Sequence, residues 1–250
     1  MKASTRENIR NMEEKHAMEQ KLNDMRLQML KSQINPHFLF NTLNMIASTA
    51  QIEDAVATEK MITALSRLFR YNLKSAGTVM PLERELKIIQ DYMYLQKMRF
   101  GQRVRYDTDC APETLDVLVP SFVLQPLVEN AIFHGIEPKG CAGHILIHVG
   151  YETSDNTENI RIDVTDDGVG MTAEKAAQIL SSNDDNSADF FREIGVSNVH
   201  KRLQYQFGAE YGITIESKEG EYTTMSIHIP NIPLHNNETV SSETISSENT

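Results

Sequence analysis

The stretch "IRIDVTDDGVGM", Ile160 to Met171, decides what kind of fold this chain can adopt. Its first half alternates with period two, the pattern of a strand with one buried face. Asp166 ends that strand. A carboxylate there can accept a hydrogen bond from an exocyclic amine such as that of adenine. Gly168 and Gly170 follow at two and four residues, where the backbone can turn sharply and come close to a ligand. Alone, D-x-G-x-G is a weak signal and reads more readily as an ordinary turn.

Two more stretches gain meaning beside it. In "LVENAIFHG", Leu127 to Gly135, Asn130 sits in a mostly apolar helix opened by Pro120-Ser121. Its carboxamide oxygen is a hard donor of the kind Mg2+ takes while it bridges substrate phosphates. In "EIGVSNVHKRL", Gly195 precedes a helix carrying Val196, Val199 and Leu203 on one face. A glycine there exposes amide N–H groups to a phosphate, aided by the helix dipole. Each has a plain alternative: an asparagine bonded to nearby backbone, an ordinary N-cap. No GxxxxGK[ST] loop is present.

Around these lie strands at "RVRYDTD" and "HILIHVGYE", a short helix at "AEKAAQIL", and a closing hairpin of "GITIESKEG" and "YTTMSIHIP". Composition changes near residue 100, and everything before it reads as helix. Residues 1–33 carry apolar residues at alternating three- and four-residue steps, a coiled-coil seam with a register break near His16–Met18. A solvated helix is the alternative. Leu39, Leu43, Ile46 and Ala50 line one helix, and Met61, Leu65 and Leu68 a second that stops at Gly77. A hairpin this apolar needs a partner, and a four-helix bundle made by dimerisation buries it most simply. A third helix follows Pro81 and stops at Gly101.

In the first helix, "LKSQINPHFLFNTLN", Leu30 to Asn44, places His37 directly after Pro36. Proline should bend the helix there, beside an imidazole that is nucleophilic near pH 7. Asn41 and Asn44, at i+4 and i+7, share its face.

Composition excludes several classes. The chain has 250 residues, 40% hydrophobic, with a formal net charge of -11, which argues against a general nucleic-acid or acidic-membrane binder. Cys110 and Cys141 form neither a metal motif nor a disulfide framework, so a reducing, cytoplasmic setting fits. No run reaches the roughly 18 apolar residues of a membrane span. The tail after Pro233 is too polar to fold.

Asparagine in a helix, then strand–DxGxG, a polar loop and a glycine-led helix resemble the ATP-binding fold shared by sensor histidine kinases, DNA gyrase, Hsp90 and MutL. "INPHFLFNTLN" lying roughly 90 residues before "PLVENAIFHG", with "LSRLFRYNL", "LERELKIIQDYMYLQKMRFG" and "GVSNVHKRL", is similar to the LytS/YesM-type bacterial sensor histidine kinases. The likeness spans about residues 28–232. It implies an α+β protein in four parts. These are a signalling helix over 1–30, helices for dimerisation and histidine phosphotransfer over 31–100, an α/β sandwich binding ATP over 101–233, and a disordered tail over 234–250.

The resemblance also implies roles. His37 matches the phosphoacceptor, with Asn41 positioned to orient it. Asn130 matches the Mg2+-coordinating asparagine and Asp166 the adenine-binding aspartate. Gly168 and Gly170 match the first glycine box and Gly195 the second, with an ATP lid between Met171 and Ile194. Thr224 matches a position that helps bind adenine, and His134 shares a helical face with Asn130. ATP and Mg2+ are the implied cofactors. The implied partners are a second copy of the chain and a response-regulator receiver domain. Family members usually follow membrane-spanning segments, so this chain is expected to be the cytoplasmic portion of such a sensor, which the coiled-coil start favours, with a soluble homologue as the alternative.

Two departures matter. Many histidine kinases carry an acid after the histidine, where this chain has Phe38, so no general base is identified. Hydrolytic relatives carry a glutamate four residues before the asparagine, where this chain has Pro126. Phosphoryl transfer to His37 is therefore expected over two alternatives, a non-catalytic nucleotide-binding regulatory module and a water-using ATPase of the same superfamily.

Overall fold

The computed structural model describes residues 36–75, 77–154, 157–181 and 190–234. The expected coiled-coil seam, the tail beyond Leu234 and the middle of the expected lid lie outside these residues. The chain divides into two compact units between Ser66 and Arg67. This division differs from the compositional one near residue 100, because the helices from Arg67 to Phe100 pack with the sheet that follows.

In the first unit, α1 spans Pro36–Ile52 and buries Leu43 and Ala50. The helix begins at Pro36 in the described residues, so a bend ahead of that proline lies outside them. It closes where Asp54 takes a left-handed φ of 55° and the Ala55 N–H donates to the Ala50 carbonyl at 2.8 Å. An aspartate tolerates that conformation better than a bulkier residue. The next helix, α2, spans Val56–Lys74, with Glu59 favourably placed in its first turn. A row of large apolar side chains stays in solvent: Phe38 is 70% exposed, Met45 64%, Ile52 84% and Val56 55%.

The second unit takes up the end of α2. Arg67 forms a two-pronged ion pair with Asp91, Nε to Oδ2 at 2.6 Å and Nη2 to Oδ1 at 2.5 Å. Asp91 belongs to α3, Leu82–Phe100, which buries Leu82, Glu85, Leu86, Ile89, Tyr92 and Met93 at helical spacing. Gly101 ends α3 at a φ of 64°, its N–H donating to the Lys97 carbonyl. Ahead of α3, β1 (Val79–Pro81) pairs antiparallel with β3 (Leu118–Pro120).

The main sheet has five strands: β2 (Val104–Cys110), β4 (Gly143–Ser154), β5 (Thr157–Asp166), β6 (Gly212–Lys218) and β7 (Tyr222–Pro230). Their order is β2-β4-β5-β7-β6, with only the β2–β4 pair parallel. One face carries Ile145, Ile147, Ile160, Ile162, Val164, Met225, Ile227 and Ile229, all buried. Against it lie α4 (Gln125–Asn130) with the helical turns that continue it, α5 (Ala173–Ser181) and α6 (Phe190–Phe207). Each fully buried Ile or Leu contributes about 1.5–3 kcal/mol. The opposite face is polar, with the ion pair Arg161–Asp163 and a hydrogen bond between His228 Nδ1 and Glu152 Oε1. This is a helical part followed by a two-layer α/β domain, the α+β architecture expected.

The helix expected to open at Pro120-Ser121 opens later. Leu118–Pro120 is strand β3, Phe122 adopts a left-handed φ of 62°, and α4 starts at Gln125. A β-pairing with β1 and a left-handed turn override the helical propensity of "SFVLQ". Below α4 the helix widens into a π turn over Ala131–Ile136 before a last turn at Glu137–Lys139. Such widenings are frequent at functional sites.

Candidate functional site

Asp166 is the last residue of β5 and only 3% exposed. Its Oδ1 accepts the Gly168 N–H at 2.9 Å. Burial pushes the Asp166 carboxyl up to about 7; the Gly168 N–H opposes that rise, neighbouring Asp167 adds to it, and Lys139 opposes it. A neutral or readily discharged carboxyl in an apolar setting is suited to a hydrogen-bonding partner rather than to a surface ion pair.

The turn after Asp166 is pressed onto the π turn. A Cβ on Gly168 would stand 2.3 Å from the Gly135 carbonyl carbon, and one on Gly135 would stand 2.2 Å from Asp166 Oδ1. The Val169 N–H donates to the Gly135 carbonyl at 3.0 Å. Gly170 has a φ of 63°, and a Cβ there would meet the Lys218 carbonyl oxygen at 2.0 Å. Asp167 fixes the turn from outside: its Oδ1 accepts the His144 N–H at 2.8 Å, and Lys139 Nζ donates to its carbonyl at 2.5 Å. Met171 N–H donates to Ser217 Oγ at 2.9 Å, tying the end of the loop to β6.

Asn130, 7% exposed, ends α4 at the entrance to the π turn, and His134 lies half-buried within that turn. Glu129 turns aside: its Oε1 accepts Gln125 Nε2 at 2.9 Å, and burial raises its carboxyl. Pro126 occupies the first turn of α4, so no side chain there could activate a water.

Register sets which threonine lies across from Asp166. Thr223, not Thr224, pairs with Asp166 across β5 and β7, and Thr223 is 2% exposed. Paired residues of antiparallel strands share a face. Thr224 pairs with Thr165, hydroxyl to hydroxyl at 2.9 Å, on the polar face. The place of Gly195 in its helix also differs from the one expected. Gly195 is not ahead of a helix but six residues into α6, which starts at Phe190. An amide that deep belongs to the helical ladder, not to the free first turn. The glycine lets α6 approach α4, since a Cβ there would lie 3.0 Å from Pro126 Cβ. The fold also brings Gly135, which the sequence marks only as a helix end, and Thr223, next to Thr224, beside Asp166.

In the first unit His37 is exposed in the first turn of α1. Asn41 Nδ2 lies 3.3 Å from His37 Nδ1 and 3.4 Å from Nε2, so its amide rests against the imidazole. Asn44 is exposed further along the helix.

The structure thus brings together a buried carboxyl at a strand end, a glycine turn seated on a helix and an asparagine on that helix. Residues 116–233 match the family of histidine kinase-, DNA gyrase B- and HSP90-like ATPases, and residues 25–104 match the histidine kinase family. YwpD of Bacillus subtilis (strain 168) is 35% identical over 210 residues, 82% of this chain and 70% of YwpD. Sensor histidine kinase YesM of the same organism is 32% identical over 88% of this chain, which spans only 36% of YesM. Among solved structures, the catalytic domain of histidine kinase ThkA superposes with a TM-score of 0.47 and 19% identity, over 62% of this chain and 98% of that one. The chain belongs to the histidine kinase family, and its C-terminal part to the histidine kinase-, DNA gyrase B- and HSP90-like ATPases.

Proposed function

We propose that the chain transfers the γ-phosphoryl group of ATP to His37 and passes it on to an aspartate of a response-regulator receiver domain. A ring nitrogen of His37 attacks the γ-phosphorus. An N–P bond forms, the bond to the β–γ bridging oxygen breaks, ADP leaves and the ring proton is released. The observation that carries the reading is the exposure of His37, with Asn41 against its ring, in a chain whose C-terminal domain is of the nucleotide-binding type.

Asp166 would receive the adenine amine, with Thr223 beside it, and the Gly168–Gly170 turn would admit the nucleotide. The residues fit a Mg2+ carried on the phosphates. Asn130 supplies one hard oxygen, and no group of three or more His, Cys, Asp or Glu among the described residues could hold a metal by itself. When bound, Mg2+ supplies charge neutralisation on the phosphates, and the protein supplies positioning. Gly195 would serve this site through packing rather than as a phosphate cradle, and His134 would approach the phosphates from the π turn.

The exposed apolar row of α1 and α2 supports a homodimer joined through a four-helix bundle. No helix among the described residues is long and apolar enough to cross a membrane. The chain spans about a third of YesM, and we place it as the cytoplasmic kinase portion of a membrane-anchored sensor.

Incubation with γ-labelled ATP and Mg2+ tests the reading. Acid-labile label on the protein, lost in His37→Ala, is expected. Tight nucleotide binding without label would make the chain a binding module, and release of free phosphate alone would make it an ATPase.

A further inference from the structure

Glu85 is the most deeply buried carboxylate among the described residues, at 1% exposure, and it lies outside the nucleotide site. Its Oε1 accepts the Phe122 N–H at 3.0 Å, and its Oε2 accepts those of Val123 at 3.3 Å and Leu124 at 3.4 Å. These three amides lead directly into α4, the helix that ends at Asn130. The Tyr71 hydroxyl donates to Glu85 Oε1 and accepts the Phe122 N–H at 2.7 Å. Its ring lies 4.4 Å from that of Phe122. On the far side Arg202 of α6 donates to the Phe122 carbonyl at 3.2 Å. One carboxylate thus joins the end of α2, the first turn of α3, the left-handed turn at Phe122 and the start of α4.

Burying a carboxylate is costly unless its acceptors are filled. A buried ion serving stability alone would often be replaced without loss by an apolar side chain. Here three consecutive N–H groups converge on the carboxyl. Burial pushes its carboxyl up to about 7, against the pull of those N–H groups and of Arg202.

We infer that Glu85 is a positioning residue for phosphoryl transfer: by gripping the entry to α4 it sets where Asn130 presents its carboxamide to the Mg2+-bearing phosphates. Tyr71 extends the grip to α2. This rests on the role proposed above for Asn130.

The test is ADP affinity of the full chain, with and without Mg2+, by titration calorimetry, in wild type, Asn130→Ala, Glu85→Gln and Tyr71→Phe. In wild type Mg2+ should tighten ADP, and Asn130→Ala should remove that gain. Groups that orient a metal ligand typically matter by about 10–100-fold. Glu85→Gln should therefore lose about tenfold in affinity with Mg2+ while Mg2+-free ADP, held through Asp166, stays within about twofold. Tyr71→Phe should shift the same ratio in the same direction, and it decides the matter if Glu85→Gln does not fold. Equal weakening with and without Mg2+ means a general structural role and overturns the inference. So does an unchanged ratio in both variants while Asn130→Ala still loses the gain. A wild type without a Mg2+ effect, or one that Asn130→Ala leaves intact, removes the role of Asn130 and the inference with it.

Discussion

Gly168 and Gly135 meet backbone to backbone, so that a Cβ on the first would stand 2.3 Å from the carbonyl carbon of the second. The contact joins the turn after β5 to the π turn after α4, the two pieces of chain that carry Asp166 and Asn130.

Gly135→Ala should therefore damage the nucleotide site. The added methyl would stand 2.2 Å from Asp166 Oδ1. Overpacking of this kind costs about 1–3 kcal/mol. A urea unfolding curve should show that loss, and ADP affinity should fall by more than the same change made at Gly140, which has open space around it.

Thr223→Ala and Thr224→Ala should separate. Thr223 shares the Asp166 face and its hydroxyl meets Ser217 Oγ at 2.9 Å. Removing it should cost about 1–3 kcal/mol between stability and adenine-nucleotide binding. Thr224 is on the polar face, and its removal should stay within about 0.5 kcal/mol. Equal effects on ADP affinity would contradict the register.

The pH dependence of stability has a defined direction at Asp166. Its carboxyl, ordinarily at 3.8, is raised to about 7 in the fold. The folded state then holds the proton more tightly than the unfolded chain. The contribution is fully present below 3.8 and is lost as pH rises through about 7. Urea midpoints of wild type and Asp166→Asn, measured from about pH 4 to about pH 8, should show wild type losing ground against the variant as pH rises.

The apolar row on the hairpin predicts association. Met45→Lys with Ile52→Lys places charge on side chains that are 64% and 84% exposed in the single chain. Sedimentation should show wild type as a dimer and the double variant as a monomer, with helical content retained because neither position is buried. A wild type that stays monomeric would leave the row unexplained by self-association.

Much of this was legible in the sequence. Ile160, Ile162 and Val164 alternate because β5 has one packed and one polar face, so the strand and the Asp166 that ends it could be read directly. The helix stops at Gly101 and Gly208 followed from their positive φ, 64° and 122°. What depends on partners distant in the chain was not legible. Whether Thr223 or Thr224 faces the site is a matter of register, and a one-residue shift reverses it. Gly195 looked like a helix start because the polar segment before it hid five earlier helical residues. Glu85 had left a trace, since it falls three residues after Leu82 on the apolar stripe of α3. Only the fold reveals the three amides it meets.

The central claim is that the imidazole of His37 carries phosphate. Phosphorus NMR of the intact protein after incubation with ATP and Mg2+ tests it most directly. A phosphoramidate resonance that is absent in His37→Gln, while the variant still binds ADP, is the predicted result. The same resonance persisting in the variant, or none forming in a wild type that binds ATP, would contradict the account.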